Sequence, residues 1–330
     1  MNAIAPGKVI LSGEHSVVYG APAIAMAVSE SIQARFSPDN SQSLTIDSGE
    51  GEPFVYPLAR LPDLQQQLNQ RYGDFEAGLL PVDKIMDTPQ TLLLYALSHF
   101  DYLPAGTLTT ASTLPTGAGM GSSAAAIAAT LVLAEQLSGH PLSLQERFSL
   151  VRYCERLQHG RGSAIDAAAV THGGLIQVQN AEVIRLECHL GAGWYRINSG
   201  RPVVSTGECV AAVREAYGAS AIWSEFADIT QAIPEALNQP ERLTTLLRAN
   251  HQLLRQIGVV PAPVTKFIAQ VEQLGGAAKI SGAGANRGEQ GGLILVYLPD
   301  SALADLRTLS NQYNYQISAL TEDREGARSI

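Results

Sequence analysis

The chain has 330 residues, is 45% hydrophobic and 16% charged, and carries 22 Lys and Arg against 31 Asp and Glu, a net charge of −9. The apolar content excludes a disordered chain, and at about 100–200 residues per domain the length suggests two domains. The negative balance excludes a general nucleic-acid binder but leaves room for a local cationic pocket around one small anion.

Cys154, Cys188 and Cys209 include no CxxC and have no His pair at metal spacing, and so odd and sparse a count argues against a disulfide framework and a structural zinc site. Residues 1–20 place Lys8, Glu14 and His15 in an apolar stretch, unlike a signal peptide, and the run Ala124–Ala134 is short of the ~20 residues that span a bilayer. A soluble, cytoplasmic protein is expected.

In chain order, two short apolar strands flank the polar turn Ser12–Gly13–Glu14–His15, the pattern of a hairpin with a charged tip. Residues 31–58 alternate as edge strands do, and the Gln-rich stretch 60–78 reads as a surface excursion. Thr88–Phe100 has helical spacing through Leu92, Leu93, Ala96 and Leu97. A Thr-rich strand over 106–113 enters the glycine loop Gly117–Ala118–Gly119–Met120–Gly121, and a helix follows from Ala124 to Leu137, ended by Gly139 and Pro141. Another helix covers about 144–158, and a Gly/Ser turn leads to Asp166, with Gly173–Gly174 closing the unit. The remainder mixes helices near 207–218, 240–256, 262–274 and 301–312 with strands near 175–178, 183–186, 195–199, 278–280, 292–298 and 315–319. The class is α+β, with a boundary within 186–200, and residues 320–330 read as a solvated tail.

Six features carry candidate chemistry. Three glycines in five residues let a backbone approach an anion closely, at a helix N-terminus whose free N–H groups point toward it; the plainer reading is a tight turn capped by serine. Ser122 or Ser123 caps that helix or holds a cation beside a phosphate. Glu155 shares a helix face with Leu144, Phe148 and Val151, so an inward carboxylate there needs a cation or donors (Mg²⁺, or a neighbouring Arg152 or Arg156); the plainer alternative is a Glu exposed where the helix leaves the core. Asp166 is a helix N-cap or a general base at a pocket wall. Lys8 is an ordinary exposed lysine or, embedded as it is in an apolar strand, a buried one that demands an anionic partner, and Ser281–Gly282–Ala283–Gly284 reads as a second anion-friendly loop.

Taken together, these segments resemble the three motifs of the GHMP kinases. Ala5–Pro6–Gly7–Lys8 through Gly20 is similar, almost residue for residue, to the opening of the members that act on mevalonate. Pro115–Ala124 resembles the ATP loop of the family. Glu155, His159–Gly160, Ser163 and Asp166 fall at the family spacing, and Asn250–His251 resembles its C-terminal half.

The resemblance implies a two-domain GHMP-kinase architecture: an N-terminal ribosomal-protein-S5-domain-2-like α/β domain over 1–190, a C-terminal ferredoxin-like α/β sandwich over 191–330, and an active site in the cleft between them. It implies ATP and Mg²⁺ as cofactors, mevalonate as the small-molecule substrate, and a homodimer as the assembly to look for. Asp166 would be the catalytic base, with Lys8 beside it steadying the developing alkoxide. Gly117 to Ser123 (Gly117, Ala118, Gly119, Met120, Gly121, Ser122, Ser123) would cradle the triphosphate, and Ser112 would reach the nucleotide. Ser123 and Glu155 would hold Mg²⁺, while Glu14, His15 and Thr206 would line the substrate pocket. A phosphomevalonate- or homoserine-type kinase, and a non-catalytic nucleotide-binding relative, are the alternatives. The third motif departs from the family: Gly282–Ala283–Gly284 is followed by Ala285–Gln290, which reads as an insertion of about four residues, before Gly291–Gly292.

Overall fold

In the computed structural model, residues 1–49, 51–115 and 117–330 are described. The first half opens with β1 (Asn2–Ser12), β2 (Ala23–Pro38), β3 (Ser43–Asp47) and β4 (Phe54–Pro57), then α1 (Leu61–Glu76) and α2 (Gln90–Leu97). Strand β5 (Gly106–Ser112) leads through the glycine loop into α3 (Ser122–Ser138), α4 (Leu144–His159) and α5 (Ala164–His172), followed by β6 (Leu175–Gln179) and β7 (Glu182–Arg185). The second half runs β8 (Trp194–Asn198), α6 (Thr206–Tyr217), α7 (Ile222–Ala236), α8 (Pro240–Gln256), α9 (Ala262–Gln273), β9 (Ala277–Ser281), β10 (Leu293–Tyr297), α10 (Leu303–Gln312), β11 (Gln316–Ala319) and β12 (Arg328–Ser329).

Two sheets result. The larger has the order β12-β1-β2-β5-β3-β4, with β6 and β7 continuing from β2; the smaller is β11-β8-β10-β9. Strand β2 is 16 residues long and its two halves serve different partners: residues 23–26 pair with β6 and 32–38 with β5. It is therefore a central strand, where the alternation over 31–58 suggested an edge. Helix α3 packs across β1 and β2. Its alanines at 124, 125, 128 and 129 are buried, and their small size lets the helix lie close against the sheet.

Three expectations need correction. The Gln-rich stretch is the 16-residue helix α1, anchored by buried Leu61, Leu64 and Leu68 at helical spacing. Helix α7 was not foreseen, because Pro234 lies inside it. The expected solvated tail instead returns to the larger sheet. Ala3 pairs with Ser329 and Ile4 with Arg328, and the Arg328 Nη1 to Asp323 Oδ2 distance is 3.0 Å, so these charges neutralise each other on the sheet.

The joint between the two sheets is polar. Ser281 Oγ accepts from the Ile10 N–H at 2.8 Å, and Asn250 Nδ2 donates to Ser12 Oγ at 2.7 Å, which in turn bonds Thr230. Next to Asn250, His251 is buried, and burial, then the charges of Arg255 and Lys279, hold its imidazole down to about 4. Burial likewise holds His99 to about 4. A folded-state value below the unfolded one means that the unfolded chain protonates first, so stability is full above about pH 6.5 and is lost as pH falls toward 4. His251→Leu is expected to flatten this acid limb by up to about 3 kcal/mol, leaving the part due to His99 and the other histidines that burial shifts down, His15, His159 and His172. Thermal unfolding between pH 4 and 7 reads it, and an unchanged slope would remove His251 as its source.

Candidate active site

Lys8 sits where the register of β1 against β2 slips, between the pairs Pro6↔Ser31 and Gly7↔Val28. Its backbone N–H turns away from β2 and donates to the Met120 carbonyl at 2.9 Å, tying the glycine loop to the strand. Only glycine at position 7 admits the loop so closely, since a Cβ there would stand 2.3 Å from Leu114 Cδ2 and 3.0 Å from Met120 O.

Within the loop, Gly117, Gly119 and Gly121 all have φ near +70°, the left-handed region that glycine occupies without strain. Ala118 and Met120 are buried between them, so the side chains point into the core, while Gly117 and Gly119 are exposed. Helix α3 then begins with no side-chain cap, which leaves its first N–H groups available to an anion. Neither Ser122 nor Ser123 caps it. Ser122 is exposed, and Ser123 Oγ donates to Glu155 Oε1 at 2.7 Å.

Glu155 is buried on the inner face of α4 with Phe148, Val151 and Cys154, whereas Leu144 at the start of that helix is exposed. Neither arginine neighbour reaches it: Arg156 is held between the Tyr72 and Tyr153 rings, and Arg152 turns to the Gly162 carbonyl. Oε2 has no hydrogen-bond partner. Burial, and next the negative charge of Asp166, push the carboxyl up to about 8.

Asp166 is in the first turn of α5, but the cap is Ser163, whose Oγ accepts the Asp166 N–H at 3.2 Å. The carboxylate is thus free to pair with Lys8 Nζ at 3.1 Å, where Lys8 is 4% exposed and the Asp166 side chain 23%. A Cβ on Gly121 would stand 3.1 Å from Lys8 Cγ and 3.8 Å from Asp166 Cβ, so the end of the loop, the lysine and the aspartate meet at one point.

The hairpin tip is buried rather than charged and solvated. Glu14 is fully enclosed and ion-paired with Lys279 of β9, a residue the sequence reading missed; burial pushes both groups toward their neutral forms. His15 Nε2 donates to the Ala283 carbonyl at 2.9 Å, leaving Nδ1 buried without a partner. The turn at 281–284 therefore presents a carbonyl, which also accepts from Cys209 Sγ at 3.1 Å, where an anion-friendly run of N–H groups was expected. Ser112 is exposed at the end of β5, its Oγ accepting the Leu114 N–H at 3.0 Å where the chain turns into the glycine loop. Thr206 is exposed at the start of α6, which Ser205 caps.

The site thus combines exposed loop glycines, an uncapped helix start, a buried carboxyl group with an orphaned oxygen, and a lysine–aspartate pair. Such a set suits phosphoryl transfer, which needs positioning and charge neutralisation more than covalent chemistry. Among the described residues no cluster of three or more His, Cys, Asp and Glu would hold a metal alone. Glu155 with Ser123 offers the partial set that Mg²⁺ takes when phosphate oxygens complete its shell.

The model of the GHMP kinases N terminal domain matches residues 90–174, the span from α2 to Gly174 that holds the loop, Ser123, Glu155 and Asp166. The chain is 31% identical over 294 residues to a mevalonate kinase of Archaeoglobus fulgidus, covering 86% of this chain and 89% of that one. It is 30% identical over 304 residues to a mevalonate kinase of Pyrococcus horikoshii, covering 86% and 85%. In fold it is similar to the crystal structure of Methanococcus jannaschii mevalonate kinase, with a TM-score of 0.80 at 20% identity over 100% of this chain and 98% of that one. The fold and the site define a GHMP kinase, an ATP-using enzyme. Within that superfamily the chain belongs to the mevalonate kinase family.

Proposed function

We propose that this enzyme transfers the γ-phosphoryl group of ATP to the primary C5 hydroxyl of mevalonate, giving 5-phosphomevalonate and ADP for isoprenoid precursor synthesis. The observation that carries the reading is the Lys8–Asp166 pair at 3.1 Å, set against the last glycine of the loop. The relatives named mevalonate kinase supply the choice of alcohol. Asp166 accepts the hydroxyl proton as the substrate oxygen bonds to phosphorus, and the bond from phosphorus to the bridging oxygen of ADP breaks. Lys8 holds the carboxylate in place and offsets charge on the oxygen. The free N–H groups of α3 and the loop backbone receive the phosphates.

Ser123 and Glu155 would hold Mg²⁺, and the orphaned Oε2 of Glu155 fits that role. The ion, when bound, supplies neutralisation of phosphate charge. Glu14, His15 and Thr206 are read as the alcohol side of the pocket, and Ser112 as the nucleotide side. In this reading the chain divides near residue 190, with 322–329 returned to the first unit, and works in the cytoplasm, where its three free cysteines stay reduced.

The test is ADP release in a coupled assay with Mg·ATP and, in turn, mevalonate, phosphomevalonate, homoserine and galactose. Turnover with mevalonate alone is the expected result. Turnover with another of the four would move the assignment to that alcohol, and ATP binding with no turnover on any would remove the mevalonate assignment.

A further inference from the structure

The glycine loop has a cation at each end, and only one of them has a role so far. Lys8 lies against Gly121. At the other end, a Cβ on Gly117 would stand 3.6 Å from Arg201 Cδ, 3.8 Å from its Cγ and 3.8 Å from its Nε. Arg201 comes from the other half of the chain, in the segment that follows β8. It is exposed and, among the described residues, has no ion pair or hydrogen bond, so its guanidinium is uncommitted toward them.

The segment that carries it is braced by the insertion in the third glycine motif. Ser199 Oγ donates to the Gly292 carbonyl at 2.8 Å and accepts the Gly291 N–H at 3.0 Å. Gln290 packs on Gly200, with its Cγ 2.7 Å from where a Cβ would be, and Gly288 lies under Val203, whose Cγ2 is likewise 2.7 Å from a would-be Cβ. Arg287 pairs with Glu208 at 3.2 Å across the same junction. Inserted residues therefore touch the segment at Gly200, Val203 and Glu208, on both sides of Arg201.

We propose that Arg201 is a nucleotide-phosphate ligand, delivered across the cleft to the start of the glycine loop by a segment that residues 286–290 hold in place. The proposal rests on the kinase reading above and adds a residue and a purpose for the insertion. A planar guanidinium presents paired N–H donors that match two phosphate oxygens, and an anion between it and the loop backbone would be held from both sides. Arg201 supplies positive charge on a chain whose net charge is −9, where a free triphosphate would otherwise be repelled.

The experiment is calorimetric titration of the full-length protein with Mg·ATP, without alcohol, for the wild type and Arg201→Gln, together with the KM for mevalonate. An exposed side chain with no partners can be replaced without unfolding the protein, and an unchanged Tm checks this. Loss of a charge-assisted phosphate contact is expected to weaken Mg·ATP binding about tenfold or more while the mevalonate KM stays within about twofold. Deletion of Asn286–Glu289 is expected to weaken ATP binding in the wild type and to add little in Arg201→Gln. Equal ATP affinity in the wild type and Arg201→Gln would overturn the proposal alone. A wild-type protein that gave no binding to Mg·ATP would remove the kinase reading and this one with it. A deletion that leaves ATP affinity intact would overturn the bracing role of the insertion.

Discussion

Asp166→Asn is expected to lower kcat by about 10²–10⁴, the usual contribution of a general base, while Mg·ATP affinity moves by no more than a few-fold. The amide keeps the shape of the carboxylate, and the Ser163 cap uses the backbone N–H of residue 166, which the substitution does not touch. What it removes is the proposed acceptor for the hydroxyl proton and the anion facing Lys8, which is 4% exposed and would then be a nearly buried cation without a partner. A modest fall in Tm should accompany the kinetic loss. Steady-state kcat with calorimetric ATP binding separates the two effects, and wild-type-like turnover would remove Asp166 as the base.

Lys279→Met is expected to cost about 3–5 kcal/mol of folding stability, the usual loss when a buried ion pair is broken from one side. Lys279 and Glu14 are both fully enclosed, and Lys279 Nζ also donates to the Ile10 carbonyl, so the single change strands a carboxyl and a carbonyl together. Glu14→Gln combined with Lys279→Met should recover part of the loss, because the stranded charge is gone. Chemical denaturation of the two single variants and the double variant measures it. A Lys279→Met protein as stable as the wild type would mean that the pair contributes nothing to the joint.

Much of the candidate site was legible because its residues cluster in local sequence. The loop, Ser123, Glu155 and Asp166 fall in one stretch, and the helix that carries Glu155 shows its inward face through Phe148 and Val151. Lys8 was legible as a lone cation in an apolar strand. Lys279 gives the same signal within Ala277–Ser281 and was passed over, because its partner lies 265 positions away and nothing local names it. Arg201 was invisible for a different reason: exposed arginines are ordinary, and only the approach of its segment to Gly117 distinguishes this one. The tail was misread because Asp323 and Arg328 look solvated until their mutual ion pair, with Arg328 beside β1, is seen. Local spacing reports which face a residue takes, whereas the partner across the cleft is a property of the assembled chain.

The polar seam also constrains how such a chain can be inherited. A seam lined only with aliphatic side chains tolerates exchange, because one apolar surface of about the right shape can replace another. Here the Glu14 carboxyl needs its lysine, the Ile10 N–H needs Ser281, and Asn250 needs Ser12, each with its partner contributed by the other half. A recombinant that takes one half from a relative lacking these matches would bury several unpaired polar groups at once. The two halves are thus bound to evolve as a matched set, with changes at the seam arriving in compensating pairs.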